Sequence, residues 1–429
     1  MPFSSVFPRP LRLRALVLAS ISCAISPTQA ENWPQWRGPR NDGVSLETGL
    51  PTTWSATENV VWKTSLPGPA GATPVVWGDR IFLTSAKGNE LVLISLNTDG
   101  KILWERKLGD GDQVVRGDEG NSASPSPSTD GKHVWAMLGT GELACFDFDG
   151  NEIWKFNLQD RYGKFDIQFG MTSTPVLDGD RLYVQLLHTG YYLLAALNKN
   201  TGEDIWKHER QSDAKAECEH SYASPVLYRD GDNEFLLVHG ADYVTAHSLK
   251  DGSEIFRCGG LNPEGKYNMT LRFVASPVAA EGLVVVPSAK NGPVLGLSVH
   301  AKGDITKSAE GHIWRRDENT PDVPSPLVYD GLVYLCRENG ILICLDAKTG
   351  KEYYMERTHS QRHRASPVYA DGKIYLMARD GVSTVVKAGK KFEVLATNDI
   401  GEAVSASPVI SNGRIYLRTY DSLVAIGKK

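Results

Sequence analysis

The chain has 429 residues and a formal net charge of −5, and 41% of its residues are hydrophobic, enough to build a sizeable core. Lys and Arg form no basic stripe, which argues against nucleic acid as a partner. Five cysteines follow residue 30 without a CxxC or CxxCH motif, so the sequence does not support a metal centre or covalent haem. We expect buried free thiols, although Cys336 and Cys344 flank a turn and a bond between them stays open.

The first 30 residues have the features of a secretory signal. Three arginines precede an apolar run from Ala15 to Ile25, and Thr28-Gln29-Ala30 supplies small residues for cleavage. The run is shorter than the roughly 20 residues that span a bilayer. We therefore expect cleavage after Ala30, export to the periplasm or cell exterior, no membrane-spanning segment, and a monomer. Loss of the three arginines lowers the net charge from −5 to −8.

Residues 59–429 contain an eightfold repeat. Each copy has a small residue, then Pro, a short apolar stretch, a turn with Gly and an alternating strand, as in TPVLDGDRLYV from Thr174. A third strand and a further turn lead to a fourth strand. The anchoring prolines, 41 to 53 residues apart, are Pro74, Pro127, Pro175, Pro225, Pro277, Pro326, Pro367 and Pro408. This spacing fits one four-stranded blade per copy and predicts an all-β, eight-bladed β-propeller.

The last copy ends soon after its third strand, SLVAIG, and lacks a fourth. The segment Asn59–Leu66, which precedes the first anchor, has the composition of an outer strand. We predict that it closes the ring as the outer strand of the eighth blade and removes an open sheet edge. The preceding extension, residues 31–58, is expected to pack irregularly over the propeller side through Trp33, Trp36 and Trp54. A partner-binding arm is the alternative.

The fourth strand usually opens with Gly and carries a large aromatic residue four positions later, as in Gly100 and Trp104. These rings are interpretable as ligand platforms, but their fixed place on the outer strand favours packing between neighbouring blades. The expected inter-blade aromatics are Trp62, Trp104, Trp154, Trp206, Phe256, Trp314 and Tyr354.

The repeat resembles that of the pyrroloquinoline-quinone-like β-propeller superfamily, which includes quinoprotein alcohol dehydrogenases and outer-membrane assembly lipoproteins of the BamB type. The opening NWPQWRGPRNDGVS, from Asn32, is similar to that of a group of secreted bacterial propellers. The resemblance implies a propeller from about Asn59 to the C-terminus, with either a scaffolding role or a quinone-dependent activity. The chain lacks the vicinal cysteine pair and the extra length of the dehydrogenases, so the resemblance does not carry the cofactor over.

In propellers, the residues just before each innermost strand lie near the mouth of the central channel, which is the usual binding surface. The candidate ligand-binding residues at these positions are His220, Tyr222, Asn268, Arg272, Arg362, His363, Arg364 and Glu402. His220, Arg272, His363 and Arg364 favour an anionic or polar ligand. The alternative is that all are solvated loop residues. The acidic loop from Arg106 to Ser122 does not match the calcium-binding EF-hand spacing and is expected to be solvated.

The sequence carries no hydrolase, nucleotide-binding or HExxH motif. We therefore expect no catalytic residue, no metal and no cofactor, and predict a non-catalytic binding or scaffold protein that contacts a protein or small ligand through the propeller face. One alternative is an oxidoreductase that binds pyrroloquinoline quinone with calcium in the central channel. Another is a carbohydrate or small-ligand binder that uses the aromatic loop residues Tyr162, Phe165, Phe169 and Tyr222.

Overall fold

The computed structural model describes residues 1–4, 30–115, 120–262 and 265–428. Most of the expected signal segment lies outside these residues, as do positions 116–119 of the acidic loop. No helix in the described ranges is long and apolar enough to span a membrane.

The described strands form eight antiparallel sheets, which confirms the predicted eight-bladed propeller. From the innermost strand outward, blade 1 has Val75–Trp77, Arg80–Lys87, Glu90–Asn97 and Ile102–Asp110. Blade 2 has Ser128–Thr129, His133–Met137, Glu142–Asp147 and Glu152–Asn157. Blade 3 has Val176–Asp178, Arg181–His188, Tyr191–Asn198 and Asp204–Glu209. Blade 4 has Val226–Asp230, Asn233–Gly240, Tyr243–His247 and Glu254–Cys258, with Gly303–Asp304 as a parallel fifth strand.

The other four blades follow the same order. Blade 5 has Val278–Ala280, Leu283–Pro287, Val294–Ser298 and His312–Arg316. Blade 6 has Leu327–Tyr329, Leu332–Cys336, Ile341–Asp346 and Glu352–Arg357. Blade 7 has Val368–Ala370, Lys373–Met377, Val382–Lys387 and Val394–Asp399. Blade 8 has Val409–Ser411, Arg414–Arg418 and Ser422–Ile426. The described helices are one α-helix, Leu158–Tyr162, and one 3-10 helix, Ala216–Glu219.

A closed ring of hydrogen bonds surrounds the propeller axis. The residue before each anchoring Pro is Ser or Thr, and its hydroxyl oxygen accepts a hydrogen bond from the backbone N–H of the equivalent residue in the preceding blade. The eight N···O distances are 2.9 to 3.3 Å. The members of this hydroxyl ring, all buried, are Thr73, Ser126, Thr174, Ser224, Ser276, Ser325, Ser366 and Ser407. Each blade is thus tied to both neighbours at its innermost point.

The N-terminal strand completes blade 8, as predicted. Val60–Ser65 pairs antiparallel with Ser422–Ile426, the third strand of that blade. Arg418 of blade 8 reinforces the junction, because its buried guanidinium donates hydrogen bonds to the carbonyls of Gly68 and Ala70 just before blade 1. The first and last parts of the chain therefore hold the same blade together.

The outer-strand aromatic residues contact the next blade. The Trp62 indole donates to the Thr98 carbonyl of blade 1 at 2.7 Å, and its ring lies against Gly100, where an added Cβ would come within 2.6 Å. Four further indole N–H groups donate to backbone carbonyls of the next blade in the same way. The pairs are Trp104 with Phe148, Trp154 with Lys199, Trp206 with Leu249 and Trp314 with Ala347. Phe256 is buried in a cluster with residues of blade 5, and Tyr354 packs edge-on against Phe392 of blade 7. In blades 1, 2, 3, 4 and 6, the Gly that precedes the outer strand lies against the Trp of the preceding blade.

The five described cysteines are all buried and free, so Cys336 and Cys344 are not bonded.

The first part of the extension lies across one end of the channel, whereas we expected it on the propeller side. Trp33 exchanges two 2.8 Å backbone hydrogen bonds with Val76 of blade 1, and Arg37 donates to the carbonyls of Pro326 and Pro367 at 2.7 Å. Trp36 lines the channel axis with the hydroxyl ring. The physical reason is that the inner strands present backbone groups toward the axis, and the extension satisfies them. Trp54 alone of the three tryptophans lies by an outer strand, where its backbone N–H bonds to Asn398.

We call the end covered by the extension the lower face, and the opposite end, where the chain enters each innermost strand, the upper face.

Replacement of residues 59–66 by a Gly-Ser linker of equal length is expected to abolish the single cooperative melting transition, because blade 8 loses its outer strand and the ring opens. Differential scanning calorimetry measures the melting transition. As a control, replacing Gly303–Asp304, the extra edge strand of blade 4, by Gly-Ser is expected to leave the transition nearly unchanged. An unaltered transition in the first variant would contradict closure by this strand.

Ser224→Ala is expected to lower the free energy of unfolding by about 1–3 kcal/mol, because the buried N–H of Thr174 loses its acceptor. Ser224→Thr keeps the hydroxyl and is expected to retain most of the stability, since Thr already occupies two positions of the ring. Urea denaturation of both variants provides the measurement. Equal stability of the Ala and Thr variants would show that the ring bond contributes nothing.

Candidate functional site

The upper end of the channel opens into a cavity of about 190 Å³, which we call the mouth cavity. Its main layer consists of residues two positions before the hydroxyl ring. Members of this layer that line the cavity are Gly71, Ser124, Thr172, Tyr222, Val274, Val323, Arg364 and Ser405. Val115, Gly120, Phe169 and Arg272 from the loops complete its described lining. The repeat register therefore places one residue from each blade around the mouth.

Below the mouth lies an axial chamber of about 150 Å³, lined by the hydroxyl ring. Trp36 is the residue of the lower-face extension that lines this chamber, and its neighbour Arg37 bonds to inner-strand carbonyls of blades 6 and 7. The extension thus covers the lower end of the axis, and the chamber lies between it and the mouth cavity.

Arg272 supplies one positive charge to the mouth cavity. Its guanidinium lies 3.5 Å from a carboxylate oxygen of Glu217 and 5.0 Å from the ring centre of Phe169, a cation–π contact. The Phe169 ring is 6.0 Å from that of Tyr222, whose hydroxyl accepts a hydrogen bond from the Phe169 N–H. These contacts hold a cation and two aromatic rings in one wall.

Arg364 supplies the second charge, from the segment that enters blade 7. Its side chain is 13% exposed and lines both the mouth cavity and the axial chamber. The guanidinium lies 3.5 Å from Glu338. Burial raises the pKa of Glu338, an effect that Arg364 opposes. The mouth therefore combines two arginines, each beside a carboxylate, with apolar and aromatic walls.

The structure brings Tyr222, Arg272 and Arg364 of the sequence candidates together at the mouth cavity. His220 is buried just outside its lining, with Nε2 3.0 Å from the Thr189 hydroxyl. Burial lowers the pKa of His220, so its imidazole is neutral at pH 7. It does not supply the positive charge that the sequence pattern indicated.

The remaining four candidates lie away from the mouth cavity. The Asn268 side chain accepts hydrogen bonds from Thr270 within its own loop. Arg362 lines a separate cavity of about 280 Å³ beside Glu338. His363 is buried, and burial lowers its pKa to about 4.

Glu402, the last of these four, bonds to Lys63 and Thr419. Burial opposes ionisation of its carboxyl, but the hydrogen bonds from Lys63 and Thr419 outweigh this effect and lower the pKa of Glu402. These contacts connect blade 8 to its closing strand and leave the carboxylate occupied within the protein.

Sequence reasoning missed the valines of the mouth, Val115, Val274 and Val323, and the position of Trp36 on the axis. The signal for Val274 and Val323 was present, because both stand three residues before an anchoring Pro, as Tyr222 and Arg364 do. Counting three residues back from each anchoring Pro would have identified this layer. The loops that deliver Phe169 and Arg272 have no such fixed spacing.

Calcium binds six to eight oxygen ligands, usually with carboxylates among them. The described lining of the mouth cavity offers hydroxyl groups but no Asp or Glu. Within the described ranges, no three His, Cys, Asp or Glu side chains are arranged to hold a metal ion. The described residues therefore do not fit a quinone held with calcium, the pair that the resemblance to dehydrogenases raises.

Eight four-stranded blades around a polar axis make this chain a β-propeller of the pyrroloquinoline-quinone-like repeat class. The family model described as outer membrane protein assembly factor BamB matches residues 45–126, 110–354 and 301–391, and the chain belongs to this family. No curated protein matches the sequence.

Solved structures share the fold at low sequence identity. BamB from Moraxella catarrhalis is 14% identical with a TM-score of 0.63, over 84% of this chain and 98% of that one. A europium-containing methanol dehydrogenase is 13% identical with a TM-score of 0.67, over 91% and 90%. Quinohemoprotein alcohol dehydrogenase from Comamonas testosteroni is 12% identical with a TM-score of 0.66, over 93% and 81%. One architecture thus hosts an assembly factor and dehydrogenases alike.

Acid is expected to destabilise the protein through His363. Its folded pKa of about 4 lies below the ordinary value of 6.5, so the imidazole is neutral in both states above pH 6.5. As the pH falls from 6.5 to 4, the unfolded chain binds the proton first and the free energy of unfolding decreases, by up to about 3 kcal/mol. His363→Gln lacks this titrating group, so its free energy of unfolding does not show this loss in acid. The difference in the free energy of unfolding between wild type and His363→Gln is therefore expected to become smaller toward pH 4.

Urea denaturation between pH 4 and 8 measures that gap. His300→Gln, at an exposed histidine, serves as the control and is expected to retain the wild-type pH dependence. A gap between His363→Gln and wild type that does not change with pH would contradict the burial of a neutral imidazole.

Proposed function

We propose that this protein is an exported, non-catalytic binding propeller that holds a partner at the mouth of its channel. The observation that carries this proposal is the pairing of Arg272 and Arg364 with apolar and aromatic walls in one cavity. Arginine recognises carboxylates with two parallel hydrogen bonds, and valine and aromatic walls bury an apolar group beside them. The matching ligand carries a carboxylate next to an apolar or aromatic side chain.

A protein partner suits this chemistry, because the C-terminus of a polypeptide and its acidic side chains present such groups. The family description names an outer-membrane assembly factor, and we propose by analogy that this chain also serves as a scaffold. The secretory features of residues 1–30 support a location in the periplasm or outside the cell.

Titration calorimetry with a short peptide that ends in a free Phe carboxylate tests the proposal, and the same peptide with an amidated C-terminus is the matched ligand. Wild type is expected to bind the free acid more tightly than the amide, by at least about 10-fold in Kd. Arg272→Gln and Arg364→Gln are each expected to raise the Kd at least about 10-fold, since each removes a charge-assisted hydrogen bond.

Arg315→Gln is the control variant, because this arginine lies on the outer strand of blade 5 and pairs with Asp317, away from the mouth cavity. It is expected to bind as wild type does. Arg364→Lys keeps the charge and is expected to bind with intermediate affinity, which separates loss of the ligand contact from a loss of folding. Equal binding of acid and amide, or equal affinity of all variants, would contradict a carboxylate site.

The alternative is a quinone-dependent oxidoreductase. Incubation of the protein with pyrroloquinoline quinone and calcium, followed by visible absorption and melting temperature, tests it directly. We expect neither observable to change. A new absorption band together with a raised melting temperature would favour the oxidoreductase and contradict the binding-only proposal.

A further inference from the structure

The lower face has a groove of about 500 Å³ that the extension leaves open. Arg40, Asp42, Val44 and Leu46 of the extension form one wall, and the innermost hairpins of blades 4, 5 and 6 form the rest. Most of the lining is apolar, and the hairpins add the charged residues Arg229, Asp230 and Glu281. Leu46 is 64% exposed beside it. The groove lies at the opposite end of the propeller from the mouth cavity.

The extension shows how a polypeptide binds to this face. It bonds to the residue two positions after the anchoring Pro of an innermost strand. In blade 1, Val76 exchanges two backbone hydrogen bonds with Trp33 as an antiparallel bridge. In blade 7, the backbone N–H of Tyr369 donates to the Gly43 carbonyl at 3.0 Å, and the Tyr369 carbonyl accepts from the Ser45 N–H at 2.9 Å. Either strand direction is thus accepted.

Leu227, Ala279 and Val328 occupy the same position in blades 4, 5 and 6, and all three line the groove. They pair with their second strands in the same register as Val76 does in blade 1. Residues in this register of an antiparallel ladder direct their N–H and C=O groups away from that partner strand. The three therefore point these groups into the groove, and no described residue of the extension bonds to them.

We propose that the groove binds an extended segment of a partner protein that carries apolar side chains, through backbone hydrogen bonds to one residue in each innermost strand of blades 4 to 6. Backbone carbonyls of the segment accept hydrogen bonds from Leu227, Ala279 and Val328, and its apolar side chains contact Leu46 and Tyr329. The occupant follows from continuity, since the same strand positions on the same face already bind extended chain in neighbouring blades. This surface is independent of the mouth cavity.

Hydrogen exchange resolved to single amides gives the first test, on the full chain and on a chain that begins at Glu31. The amides of Leu227, Ala279 and Val328 are expected to exchange fast in both, and those of Val76 and Tyr369 slowly. If the amides of Leu227, Ala279 and Val328 exchange slowly in the full chain but fast in the chain that begins at Glu31, residues 1–30 occupy the groove. Protection that grows with protein concentration would assign it to a second copy. Both outcomes overturn the proposal.

The second test uses 12-residue peptides displayed on phage, selected on the wild-type protein and counter-selected on Ala280→Glu, which places a charge in the groove. A selected peptide, added to the protein, is expected to slow exchange of the three amides. Ala279→Pro is expected to raise its Kd at least 10-fold, because Pro removes the inward N–H and is tolerated at a sheet edge.

Arg272→Gln, at the mouth, is expected to leave this binding unchanged, so failure of the mouth proposal and failure of this one are distinguishable. Recovery of no peptide specific for the wild type, or of peptides that leave the three amides unprotected, would overturn the inference. So would an unchanged Kd in a folded Ala279→Pro protein.

Discussion

The hydroxyl ring is the interaction on which the rest of the structure depends. Eight side chains converge on the axis, where only small residues fit, and each must also supply an acceptor for a buried backbone N–H. Ser and Thr meet both requirements, which explains why they precede every anchoring Pro. Because each bond joins two neighbouring blades, the ring fixes all eight innermost strands at the same height along the axis.

That common height creates both candidate surfaces. Two residues before the ring, every blade contributes to one layer around the upper mouth, and Tyr222 and Arg364 differ from the small and apolar residues there. Three residues after the ring, every innermost strand turns backbone groups toward the axis on the lower face. The extension bonds to those of blades 1, 2, 3 and 7, and the groove exposes those of blades 4 to 6. Both candidate surfaces lie where the eightfold symmetry is broken.

The repeat allowed the fold to be predicted well, because the features that define a blade are local. A Pro anchor, a Gly turn and an outer-strand Trp each act within one copy or on the next one, and the closing strand follows from counting strands in the last copy. The candidate site was predicted less well, because proximity in sequence to an innermost strand does not fix the direction of a side chain. Arg364 and His363 are adjacent, yet Arg364 faces the axis and His363 turns away and is buried.

The extension was misplaced for a related reason. Its tryptophans indicated burial but not against which surface, since any apolar contact satisfies an indole ring. The decisive residue is Arg37, whose guanidinium bonds to inner-strand carbonyls of blades 6 and 7. Such a role has no sequence pattern, because its partners are backbone atoms of residues more than 280 positions away.

The energetics of the mouth cavity follow from the contacts of its arginines. Arg272 and Arg364 each lie 3.5 Å from a carboxylate, so neither charge is left uncompensated when the cavity is empty. In the complex that we propose, a ligand carboxylate therefore exchanges one anionic neighbour for a closer one and gains only part of a full ion pair. Most of the binding free energy must then come from apolar contact with the valines and with Phe169. Under this proposal the arginines select the charge of the ligand, and the apolar walls set its affinity.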